Sequence, residues 1–107
     1  MRDNSPVRTE DLIASADALE RLAATSTGGE WQLRGLLATR PEVVAHHGDG
    51  TTEHVAEARA GSARWIAALS PELAPLLAEW LRSAARRDEI DPAAHAFARA
   101  LLRRLPD

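Results

Sequence analysis

The sequence predicts an α+β fold: an N-terminal helix, a small antiparallel sheet of two or three short strands, then two or three helices ending in a C-terminal helical hairpin. Three observations carry that expectation. Apolar residues recur at helical spacing near both ends of the chain. From Glu30 to Ala58 the period shortens to two, and glycine and proline punctuate short runs. Outside that middle stretch the dominant residues are alanine, leucine, arginine and glutamate, all good helix formers.

At 107 residues the chain fits one domain, taken as 9–107, behind a polar lead-in over 1–8. Apolar residues make up 45%, but many are alanine, with three Trp, one Phe and no Tyr. Such a composition calls for thin elements that pack closely, or for an oligomer that extends the core.

The first helix is expected from Thr9, as N-cap, to Ala24, with Leu12, Ala16, Leu19 and Ala23 inward and Ile13 and Leu22 widening the stripe. Gly28-Gly29 ends it. Trp31 and Leu33 alternate in a first strand, and Leu36 to Arg40 either extends it or turns. Glu42 to His47 is the second strand. Gly48-Asp49-Gly50 is a turn, and Thr51 to Ala58 offers a third strand, with an early helix start at Thr52-Glu53 as the alternative. A two-turn helix follows from Ser62, carrying Trp65, Ile66 and Leu69. Ser70-Pro71-Glu72 restarts the helix, and Leu73, Leu76, Leu77, Trp80, Leu81 and Ala84 form its stripe. Pro75 fits only in a first turn, so the true start lies after Ser70. Asp91-Pro92 caps a last helix with Ala94, Phe97, Ala98, Leu101 and Leu105 inward. On this reading Trp31, Trp65 and Trp80 are core residues, and an exposed one would mark an interface.

Candidate chemistry concentrates in His46, His47, Asp49, Glu53 and His54. Imidazoles and carboxylates are metal ligands, but neighbouring strand residues such as His46 and His47 point to opposite faces, and the spacing matches no established site. A solvated hairpin tip is the simpler reading, so no catalytic, metal or cofactor-binding residue is assigned. Arg82, Arg86, Arg87, Arg99, Arg103 and Arg104 gather on the last two helices, where they complement helix dipoles or could meet phosphate. A net charge of −3 argues against a general nucleic-acid binder. His95 has no paired acid near it in sequence. The glycines lack phosphate-loop spacing, so no nucleotide is expected. No cysteine is present, which excludes disulfides and thiol catalysis and fits a reducing cytosol. The polar start MRDNSPVRTED has no signal-peptide core and no apolar run reaches membrane-span length, so a cytoplasmic protein without membrane contact is expected.

Ala63, Trp65, Ile66, Ala67, Ser70, Pro71, Leu73, Leu76 and Leu77, within ARWIAALSPELAPLLAEWL, resemble the signature of the lambda early-region Ead-like family of small phage proteins. The resemblance covers Gly28 to Ala84, and Gly29-Glu30-Trp31 departs at Glu30 from the Gly-Pro-Trp common in relatives. It implies a phage or prophage accessory protein and transfers no catalytic residue. All thirteen basic residues are arginine, a GC-rich codon signature that agrees with an actinobacterial source. The expected role is therefore non-enzymatic binding of a host or phage protein, with a homodimer formed if tryptophan or leucine is left exposed. The alternatives are a nucleic-acid-associated regulator using the arginine-bearing helices and a metal-dependent enzyme built on His46 to His54.

Overall fold

The structure is a computed structural model that describes residues 6–35 and 39–105. Its elements are α1 (Pro6–Ala24), β1 (Glu30–Arg34), β2 (Glu42–His46), β3 (Thr52–Glu57), α2 (Ala60–Ala68), a 3-10 turn (Pro71–Leu73), α3 (Ala74–Ala85) and α4 (Pro92–Arg104). The fold is α+β, as the sequence predicts. The elements fall into two compact units: α1, α3 and α4 make one, and the sheet, α2 and the 3-10 turn make the other.

In the helical unit, α1 packs along both α3 and α4. It begins at Pro6, ahead of the expected Thr9 cap, so part of the anticipated lead-in is helical; residues 1–5 lie outside the described residues. Proline suits a helix start because its fixed φ is helical and its missing N–H would have no partner there. The core joins Leu12, Ala16, Ala78, Leu81, Ala84, Ile90, Ala94 and Ala98. Five of these eight are alanine, so the helices must approach closely to fill the space. Ser15 is also fully buried, and its hydroxyl donates to the Leu12 carbonyl at 2.9 Å, which removes the cost of an unpaired polar group.

This alanine seam turns the helices away from the expected orientation. Ile13 and Leu22 do not widen an inward stripe; they are 43% and 38% exposed. On α3 the buried residues are Ala74, Ala78, Leu81 and Ala84, while Leu76 and Trp80 face outward. The α3 sequence is apolar over more than one face, and the close contact with α1 selects its small side. Pro75 falls in the first turn of α3, which resolves the late start. Asp91 caps α4, accepting a bond from the Ala93 N–H at 3.1 Å, with Pro92 at the first helical position. Phe97 stands 38% exposed rather than inward. Pro106 lies outside the described residues.

In the other unit the sheet order is β1-β2-β3, antiparallel throughout. The third strand forms and the early helix does not. β2 is central, and its Val43, Val44 and Ala45 are buried. The alternation of β1 exposes Glu30, Gln32 and Arg34 and half-buries Trp31 and Leu33. Trp31 is tied down by its indole N–H, which donates to the Thr27 carbonyl at 3.1 Å. α2 packs on β1 and β2 and contributes Ala63, fully buried. Gly29 has φ +85°, and a Cβ there would lie 2.7 Å from the His46 carbonyl oxygen, so only glycine fits at the start of β1. The stretch 36–38 lies outside the described residues.

Leu81 is the bulkiest α3 side chain in an alanine-lined core that cannot readily close around a void. Leu81→Ala should cost about 2–5 kcal/mol, read as a lower urea midpoint, whereas Leu76→Ala should change it little.

Candidate functional site

The polar cluster expected in HHGDGTTEH is divided between the two faces of the sheet. β3 carries one extra residue: Val43 faces Ala56 while Val44 faces His54, which leaves Val55 as a bulge. In unbroken register His54 would oppose Ala45, on the face opposite Glu42. The bulge flips it onto the Glu42 face. There His54 Nδ1 donates to Glu42 Oε2 at 2.5 Å, and Arg34 Nη2 donates to Glu42 Oε1 at 2.9 Å. One carboxylate on the central strand thus joins side chains from all three strands. On the other side of the hairpin, His47 Nε2 lies 3.1 Å from Glu53 Oε1. Asp49 closes the turn by accepting from both the Thr51 N–H, at 2.9 Å, and its hydroxyl, at 2.6 Å.

These contacts set the electrostatics. Glu42 lies below its ordinary pKa, chiefly through the His54 bond and then through Arg34. The Thr51 hydroxyl and N–H hold Asp49 below its ordinary value. Among the described residues no group of three or more His, Asp or Glu side chains is gathered to hold a metal ion. A cavity of about 360 Å³ lies beside the ladder, lined by Arg34, Gly35, Arg40, Pro41, Glu42, His54 and Glu57. A His–Glu pair can orient an imidazole for base chemistry, but no hydroxyl is bonded to His54 among the described residues, and its side chain is 55% exposed. The arrangement is that of a cross-strand clasp.

The arginines are partly spent inside the helical unit. Arg82 on α3 reaches both Asp17 and Glu20 on α1, the first at 2.8 Å. Its guanidinium is held above its ordinary pKa by Glu20 first and Asp17 second, and Arg82 holds Glu20 below its own. Arg86 meets Glu79 at 3.3 Å, and Arg104 donates to the Ala100 carbonyl. Among the described residues no ion pair engages Arg87, Arg99 or Arg103. His95, expected to lack an acid, has one: its Nε2 lies 2.8 Å from Asp11 Oδ2, joining α4 to α1 across 84 positions of sequence. Such a pair has no local signature.

What the sequence reading assigned to packing and the structure leaves outside is large and apolar. Trp65 is 69% exposed on α2, with Leu69 at its end 53% exposed; Leu76 is 69% and Trp80 45% exposed on α3. The Trp80 ring lies 5.6 Å from that of Phe97, tilted by 55°. Among the described residues no helix is long and apolar enough to cross a membrane. Comparison with protein-family models, with curated proteins and with solved structures found no match.

The sign of the Glu42 effect is fixed by its lowered pKa. Its contribution to stability is fully present above the unfolded value of 4.5 and is lost as pH falls through the folded value. Glu42→Gln should therefore be less stable than the parent at about pH 6, with the gap narrowing towards about pH 3, as read by urea unfolding. A gap that stays constant over that range would refute the clasp.

Proposed function

We propose that the chain is a non-enzymatic accessory protein of the phage or prophage type, acting in the cytoplasm of an actinobacterial host, where it binds and modulates a host or phage protein. The observation that carries this reading is Trp65. It stands 69% exposed on α2, with Leu69 one turn later. The opposite side of α2 already supplies the packing contacts, through buried Ala63 and half-buried Ile66 and Ala67. An indole and a leucine side by side in water on a helix already packed by its other side are the kind of anchor that dominates protein interfaces. Trp65 also lies within the segment that resembles the Ead-like proteins, so the resemblance and the exposed anchor coincide.

The test uses the whole chain as bait in a lysate of the presumed host, with and without phage infection, and mass spectrometry of what it retains. A partner retained by the parent should bind Trp65→Ala at least about tenfold more weakly while helix content by circular dichroism is unchanged. Equal retention by both chains would remove α2 as the binding face.

Arg99 and Arg103, one turn apart on α4 and free of ion pairs among the described residues, favour a second reading as a nucleic-acid-associated regulator. That reading expects DNA or RNA binding that falls steeply with salt and weakens in Arg99→Ala/Arg103→Ala; no retention at low salt ends it.

A further inference from the structure

The sheet has two edge strands, β1 and β3, and they differ. The backbone phase of β1 follows from its neighbour. Just past β2 the His47 N–H donates to the Thr51 carbonyl at 2.9 Å, and just before it the Pro41 carbonyl accepts from the Ala58 N–H at 3.3 Å. Odd-numbered positions along β2 therefore turn their backbone groups to β3, and Glu42, Val44 and His46 turn theirs to β1. The residues facing those three are Arg34, Gln32 and Glu30. Trp31 and Leu33 are left with N–H and C=O pointing away from the sheet, and among the described residues these groups have no backbone partner. Such an edge is a template for another strand.

Charge selects the strand that fits it. In antiparallel self-pairing, Glu30-Trp31-Gln32-Leu33-Arg34 is complementary to itself about Gln32. Glu30 meets Arg34, Trp31 meets Leu33, and Gln32 meets its own copy. The positions with outward backbone groups, Trp31 and Leu33, fall into a hydrogen-bonded pair, so each satisfies the other. Both are half-buried and share one face, which the pairing continues from copy to copy. Glu30, Gln32 and Arg34 share the other face and are exposed. Arg34 gives Nε and Nη2 to Glu42, and its Nη1 has no acceptor among the described residues. Glu30 accepts from Gln32 at 2.8 Å through Oε1, which leaves Oε2 for a second donor. A row across the joined sheets then alternates in sign: Glu42, Arg34, and Glu30 of the second copy, with His46 of that copy beside it. β3 offers no such match. Val55 bulges its edge, and its Glu53 and Glu57 have no arginine on the strand to meet.

We propose that β1 is the interface of an isologous homodimer, in which the two β1 strands pair antiparallel about Gln32, Glu30 meets Arg34 twice across the axis, and the two sheets become one. The same patch serves on both copies, as a two-fold contact requires. Backbone bonds supply the attachment and the flanking charges fix its register. The contact is one strand long, so the dimer is concentration-dependent. It uses residues distinct from Trp65 and Leu69 and does not rest on the partner proposed above.

An introduced thiol and light scattering on the whole chain test it. The chain has no cysteine, so Gln32→Cys supplies one thiol per copy. A non-hydrogen-bonded antiparallel pair brings its Cα atoms to about 4.5 Å, within the roughly 4.4–6.8 Å that a disulfide spans. In a glutathione redox buffer Gln32→Cys should form a covalent dimer at least about tenfold faster than Glu53→Cys, whose thiol lies on the other edge strand. Over a dilution series the parent should show a monomer–dimer equilibrium. Glu30→Arg should raise its midpoint about tenfold in concentration, because it sets like charges across the axis twice. Arg34→Glu should also weaken the dimer, and an equimolar mixture of the two variants should recover it, since both contacts are again opposite in sign. Trp65→Ala should leave the midpoint unchanged. Circular dichroism of each variant checks that the fold is intact. A parent that stays monomeric throughout, growth beyond the dimer, equal cross-linking of the two thiol variants, a dimer indifferent to Glu30→Arg or lost through Trp65→Ala, or a mixture without recovery would each overturn the proposal.

Discussion

Close approach of helices over alanine is the constraint on which the helical unit depends. Leu12 and Leu81 are its largest fully buried side chains, and around them Ala16, Ala78, Ala84, Ala94 and Ala98 fill the core. A methyl group buries little area, so each contact contributes little and α1 must stay near α3 and α4 along much of its length. Two polar links fix that geometry, Arg82 to Asp17 and Glu20 from α3, and His95 to Asp11 from α4. The same constraint explains the outer surface. Once the small side of α3 is turned inward, Leu76 and Trp80 have no place in the core.

The sheet unit obeys a different rule. Its central strand is buried through Val43, Val44 and Ala45, and its edges are joined by polar side chains. The Val55 bulge is what permits this. It shifts the phase of β3 by one residue, so His54 reaches Glu42, while Glu53 stays on the side of His47. Of the five residues that look like one polar cluster along the chain, His47, Asp49, Glu53 and His54 divide among separate cross-strand and turn contacts, and His46 is exposed at the end of β2. Gly29 completes the unit by letting the chain pass the His46 carbonyl at the start of β1.

Function follows from what these two packing schemes leave over. The charged groups that could have composed a site are largely engaged in holding elements together: Glu42 with Arg34 and His54, Arg82 with α1, His95 with Asp11. The unspent features are apolar, Trp65 with Leu69 on α2 and Leu76 with Trp80 on α3. Large apolar side chains left in water in this way are what the proposed role in association rests on.

The sequence by itself determined the fold class and the order of elements. Period-two runs around Val43-Val44, turn residues at Gly48-Asp49-Gly50, the Ser70-Pro71 restart and the Asp91-Pro92 cap are local signals, and each acts where it is written. It also exposed the conflict at Pro75, which the late start of α3 resolves. Only the tertiary structure decided which side of each helix turns inward. Leu76, Trp80, Leu81 and Ala84 are all apolar, and periodicity cannot say that the partner is another alanine-lined helix that accepts the small side. The bulge at Val55, the pairing of His95 with Asp11 and the pairing of Arg82 with Asp17 and Glu20 were likewise invisible. They depend on register or on residues far apart in the chain, and neither leaves a mark on the local pattern of residues.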